Sequence, residues 1–82
     1  MQIKFNVTGD RRKALVAVMR DTLQDTTRYL GAPSFAFQVG MYTVDKNGTV
    51  TCPDDADEAR IDMLVRELAH DGFVGERVGG EV

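Results

Sequence analysis

Thr27 to Cys52, TRYLGAPSFAFQVGMYTVDKNGTVTC, decides how the rest of the chain must be arranged. It holds both tyrosines, Phe35 and Phe37, and Val39, Val44 and Val50, and it is punctuated by Gly31, Pro33, Gly40 and Gly48. Short aromatic and β-branched runs between turn formers read as an antiparallel meander. Phe35, Phe37 and Val39 share one face of an extended chain. Beyond Gly40 the large residues change parity, to Tyr42 and Val44, so an unbroken strand would split them between two faces. A bulge or break at Gly40-Met41 restores a single apolar face, and glycine is where such an irregularity costs least. Asp45-Lys46-Asn47-Gly48 predicts a hairpin turn. With Gly48 left-handed after a type I turn, Val44 pairs with Val50, whereas a two-residue Asn47-Gly48 turn pairs Val44 with Thr51. The first register matches apolar with apolar and is the expected one.

The flanks must cover this ribbon. Upstream, Ile3, Phe5 and Val7 alternate with Gln2, Lys4 and Asn6, the period of a half-buried strand. Thr8 or Asp10 can cap the helix expected from Asp10 to about Asp25, whose Leu15, Val16, Val18, Met19 and Leu23 fall in one sector. Thr27 to Leu30 reads as a short strand, with Gly31 to Ser34 as its turn. Downstream, Pro53 ends the meander and Asp54 is the expected cap of a second helix. Asp55, Asp57 and Glu58 complement its dipole, and Ile61, Leu64, Val65 and Leu68 form its core stripe. Gly72 stops that helix, with Phe73 folding back in a Schellman contact. Helices this short need tertiary packing. The fold class is therefore α+β, a two-layer sandwich ordered β-α-β-β-β-α, with both helices on one face and an optional last strand at Phe73-Val74. One domain spans 1–75, and 76–82 is expected to be a flexible C-terminal tail.

Eighty-two residues with a formal charge of −3 argue against a dedicated duplex-DNA binder, which needs a concentrated basic surface. The single cysteine suits a reducing compartment. The opening MQIKFNVTGD has neither a basic nor an apolar signal region, and no apolar run is long enough to span a membrane. A cytoplasmic location is expected.

The opening FNVTG, followed by a basic helix start and then by YLGAPSFAFQVGMYTVDKNGTV, resembles a family of small bacterial proteins, mainly from Firmicutes. These occur in integrated conjugative elements and prophages under the label "virulence-related protein". The likeness covers roughly residues 3 to 55 and is most specific over Tyr29 to Val50. It implies a self-contained module in the bacterial cytoplasm, similar segments also beginning longer chains of that group. It brings no catalytic residues to transfer.

Candidate sites follow from residue chemistry. Arg11, Arg12 and Lys13 place three cations at the positive end of a helix dipole, an unfavourable arrangement that a phosphate or acidic ligand would reverse. Tyr29, Phe35, Phe37 and Tyr42 could stack nucleobases, but the valines on the same face favour core packing. The run Asp54, Asp55, Asp57, Glu58 suits helix capping better than a cation site. Cys52 and His70 are each alone of their type, and no catalytic or metal-binding constellation accompanies them. Met63 lies away from the core stripe beside Arg66 and His70, a combination suited to a protein contact. The expectation is a non-enzymatic interaction module without metal or cofactor, monomeric or weakly dimeric. Its partner is a protein, with nucleic acid less favoured and no membrane.

Overall fold

The computed structural model describes residues 1–78. The elements are β1 (Gln2–Lys4), α1 (Gly9–Leu23), β2 (Thr27–Gly31), β3 (Ala36–Val39), β4 (Tyr42–Val44), β5 (Thr49–Thr51), α2 (Glu58–His70) and β6 (Glu76–Val78). The six strands form one sheet in the order β2-β3-β4-β5-β1-β6, every neighbouring pair antiparallel. Both helices pack on one face of it, the two-layer α+β arrangement that the pattern predicts.

Alternation builds the covered face. Ile3, Val39, Tyr42, Val44 and Val50 from the strands meet Leu15, Val16, Met19 and Leu23 of α1 and Ile61, Leu64 and Leu68 of α2. Leu15, Met19, Val39, Val44, Val50, Leu64 and Leu68 are fully excluded from water. Each such side chain contributes about 1.5–3 kcal/mol of burial. The opposite face carries Gln2, Lys4, Gln38, Thr43 and Thr51, as the alternation requires.

The parity change at Gly40-Met41 has a simple origin. These residues are the two-residue loop of a hairpin, pairing Val39 with Tyr42 and Phe37 with Val44. Gly40 has φ +57° and Met41 does not enter the left-handed region, the pattern of a type II′ turn. The expected break is therefore a full reversal, and it adds a strand to the expected order. The next turn follows the predicted register, with Val44 opposite Val50 and Gly48 at φ +83°.

Helix ends are set by local chemistry. Asp57, not Asp54, caps α2: its carboxylate accepts from the Ala59 N–H at 3.1 Å, because Pro53–Ala56 first close a turn of their own. The Phe73 N–H donates to Leu68 O at 2.9 Å and the Gly72 N–H to Ala69 O at 3.0 Å, the two bonds of the Schellman motif. Phe73 is thereby buried in the core, so it does not form the optional edge strand. That strand is β6, which pairs with β1. Glu76–Val78 thus belong to the sheet, although composition places them in a flexible tail. The rest of that expected tail, 79–82, lies outside the described residues.

The layers differ in width. Strands spaced about 4.8 Å apart put the outermost two of six roughly 24 Å from each other. Two helices packed about 10 Å apart, each about 10 Å across, cover roughly 20 Å. One margin of the sheet must stay bare. On the β6 side Arg77 reaches Asp62 of α2 at 2.7 Å, so the bare margin is β2.

Gly48 is held by close approach as well as by φ. A Cβ there would stand 2.6 Å from Val7 O and 2.7 Å from Val7 N. Gln24, by contrast, closes α1 in the left-handed region (φ 53°, ψ 51°) without being glycine. Chemical denaturation should show Gly48→Ala losing well over 1 kcal/mol and Gln24→Gly gaining about 0.5 kcal/mol.

Candidate functional site

The three cations of α1 do not converge. Successive helix positions point about 100° apart, and Arg11 and Arg12 take opposite flanks. The Arg11 guanidinium lies 4.4 Å from the centre of the Phe73 ring and donates to Gly72 O at 3.3 Å. The Arg12 guanidinium lies 4.7 Å from the centre of the Phe37 ring and donates to Phe35 O at 2.8 Å and Asp45 O at 3.4 Å. Each is engaged by an aromatic face and a carbonyl. Lys13 stays exposed. Arg12 instead fastens the Gly31–Phe35 and Asp45–Gly48 turns to the helix.

On α2, Met63 is 39% exposed and lines a shallow groove with Glu67 and with Asp21 and Thr22 of α1. Arg66 and His70 are exposed but do not line that groove. Cys52 is buried, and burial pushes its thiol above the ordinary range, which opposes the nucleophilic thiolate. Among the described residues, no group of three His, Cys, Asp or Glu side chains is placed to hold a metal ion, and no helix is long and apolar enough to cross a membrane.

The surface that composition obscured is the margin at β2. Tyr29 and Phe35, expected in the core, are 53% and 43% exposed. Of the six large apolar side chains exposed among the described residues, three lie here: Tyr29, Leu30 and Phe35. Tyr29 faces the helical side of the sheet, opposite Phe37, but stands beyond the reach of α1. Phe35 lies outside β3 altogether. Its φ of +54° is a strained conformation for a bulky residue, held by the Arg12 bond and by its own N–H donating to Gly31 O at 2.7 Å.

These side chains are ordered by contact. The Tyr29 and Phe37 rings are 4.9 Å apart, inclined at 48°, and Arg12 sits over Phe37. Along the strand, Arg28 points to the open face and Leu30 sits at a register shift between Tyr29 and Gly31. The outer edge of β2 has no strand partner among the described residues. The signal in the sequence was the strand itself: its helix-facing residues, Thr27 and Tyr29, are both amphipathic, unlike the valines of β3 to β5. No family model, curated protein or solved structure matches this chain.

Arg12→Lys keeps the charge but loses the planar stack and the forked donors. It should cost about 1 kcal/mol and speed amide exchange in the Gly31–Phe35 turn, while Lys13→Ala changes neither measurably. Burial also raises the Tyr42 phenol, so both it and the Cys52 thiol stay protonated in the folded chain beyond the pH at which they ionise when unfolded. Their contribution is complete below about pH 8.5 and is lost as pH rises through the raised values. Urea midpoints should fall from about pH 8.5 upward, and Cys52→Ala should flatten the first part of that fall.

Proposed function

We propose that this chain is a non-enzymatic protein-interaction module that accepts an extended partner segment along the outer edge of β2. The observation that carries this reading is the coincidence, on one margin, of unpaired strand backbone and three exposed large apolar side chains, Tyr29, Leu30 and Phe35. Main-chain bonds to an added strand supply affinity, and flanking side chains supply selectivity. Natural sheets usually protect a bare edge with inward charges, bulges or proline. β2 is the longest strand described; its protection is limited to one charge, Arg28, and the register shift at Leu30, which leaves Thr27–Tyr29 regular and open. A bacterial mobile-element setting is part of the proposal and rests on the sequence likeness over Tyr29 to Val50.

The alternative is phosphate or nucleic-acid binding through Arg11, Arg12 and Lys13. It has less support, because two of the three cations are already engaged on opposite flanks of α1. The α2 face around Met63, Arg66 and His70 offers a partner one large apolar side chain against the three at β2.

Peptides selected from a displayed library on the folded chain test the reading. Bound peptides should slow amide exchange across Thr27–Gly31 and lose at least about tenfold in affinity on Tyr29→Asp or Leu30→Lys. Protection over Met63–His70, abolished by Met63→Asp, would move the interface to α2. Salt-dependent oligonucleotide binding lost on charge reversal at Arg11 and Lys13 would favour the alternative.

A further inference from the structure

The backbone groups that β2 offers on its outer edge are fixed by its pairing with β3. In an antiparallel ladder, positions that exchange hydrogen bonds with the residue opposite alternate with positions that do not. The Gly40 N–H donates to Thr26 O at 3.1 Å. The bonding positions toward β3 are therefore Thr26 and, two residues on, Arg28 opposite Gln38. The two-residue loop at Gly40-Met41 requires the same phase, since Val39 pairs with Tyr42 and so turns its own groups away from β2. Thr27 and Tyr29, opposite Val39 and Phe37, turn their N–H and C=O groups outward. Past Tyr29 the register shifts, and Gly31 O is taken by the Phe35 N–H at 2.7 Å. An added strand thus bonds to Thr27 and Tyr29. The residue it sets against Arg28 lies between them, at the position where antiparallel strands come closest.

Side-chain chemistry then separates the strands that could dock. Arg28 is exposed on the open face and takes part in no ion pair among the described residues. The row of side chains that begins with it crosses the sheet through Gln38, Thr43, Thr51 and Gln2, none of them acidic. A second copy of this chain does not answer that charge. The antiparallel self-pairing that uses all four outward groups sets Thr27 against Tyr29 in both directions, and it brings the two Arg28 side chains directly opposite each other. Like charges so placed are destabilising, whereas opposite charges stabilise the pair. On the helical side Tyr29 lies against Phe37 with half of its surface in water. Partner residues opposite Thr27 and Tyr29 point to that side, where apolar side chains add contact.

Given that β2 is the docking edge proposed above, we infer that its occupant is an antiparallel strand of another protein with a carboxylate side chain opposite Arg28 and an apolar residue on either side of it. The carboxylate meets the forked donors of the guanidinium on the open face. The two apolar neighbours lie over Tyr29 on the helical side. A charge on a bare edge commonly turns other strands away. Here the same charge selects among them, because basic segments and further copies of this chain meet repulsion that an acidic segment does not.

NMR titration of the full chain with three capped heptapeptides reads this directly. Each is made of threonine with valine on either side of the central residue, which is glutamate, glutamine or lysine. The Thr27 and Tyr29 amides should slow in exchange on binding, while the Arg28 amide, already turned toward β3, changes little. The glutamate peptide should bind about fivefold tighter than the glutamine peptide and the lysine peptide more weakly than either, with the differences shrinking in high salt. Arg28→Glu should invert that order and Arg28→Gln should abolish it. Both variants alter an exposed side chain without an ion pair, so both should fold. Equal affinity for the three peptides, with Thr27 and Tyr29 still protected, would overturn the acidic assignment and leave the edge reading in place. Protection of those amides without peptide, together with self-association in sedimentation equilibrium, would overturn it in favour of a second copy. Absence of protection at β2 with every peptide, the display-selected ones included, would overturn both.

Discussion

Two helices cannot cover six strands, and the rest of this structure follows from that mismatch. The covered width is enough for the strands that supply Ile3, Val39, Tyr42, Val44 and Val50, all of which are buried. Beyond them the same alternation continues into β2, where Tyr29 lies opposite Phe37 and yet remains half in water. An apolar pattern therefore predicts which face a residue takes, but burial also needs a neighbour on that face. Among the described residues no further element lies over that margin.

The margin is not simply left loose. Arg12 bridges α1 to two separate turns through Phe35 O and Asp45 O, and its guanidinium lies over Phe37. The Asp45 carboxylate is meanwhile committed to its own turn, accepting from the N–H groups of Asn47 and Thr49 at 2.9 Å. Phe35 is the residue that bears the strain of this arrangement. A left-handed backbone costs a bulky side chain on the order of 1 kcal/mol or more, and here it carries an aromatic ring to the surface instead of into the core. Strain retained on an exposed aromatic beside an open edge is easier to reconcile with binding than with stability.

The sequence made much of this legible. Period-two and period-3.6 patterns located both helices, the core stripes of α1 and α2, and the Val44–Val50 register, because burial imposes those patterns on local sequence. The Gly72-Phe73 stop was equally readable, since the Schellman motif is a local geometry. What escaped was set by distance in space. Whether Gly40-Met41 bends a strand or reverses it depends on which strand lies alongside, and both restore the same parity. Arg11 and Arg12 read as one basic cluster, although their partners are 61 and 23 residues away. Tyr42 read as a core residue and is one. Its hydroxyl is buried without a hydrogen-bond partner among the described residues, a property of the packing around it that no residue spacing encodes.

A net charge of −3 conceals a division within the chain. Residues 1–46 hold seven of the ten Lys and Arg but four of the thirteen Asp and Glu, so the acidic excess lies in the second half. Asp25 belongs to the first part, in the segment that leads from α1 into β2, where the Gly40 N–H donates to Thr26 O at 3.1 Å. A Cβ at Gly40 would run into the Asp25 carboxylate, so the turn between β3 and β4 closes against this segment only because position 40 has no side chain. The bare margin is therefore tied down at both ends, by this contact beside Thr26 and by Arg12 beside Phe35, and the unpaired backbone of β2 lies between them.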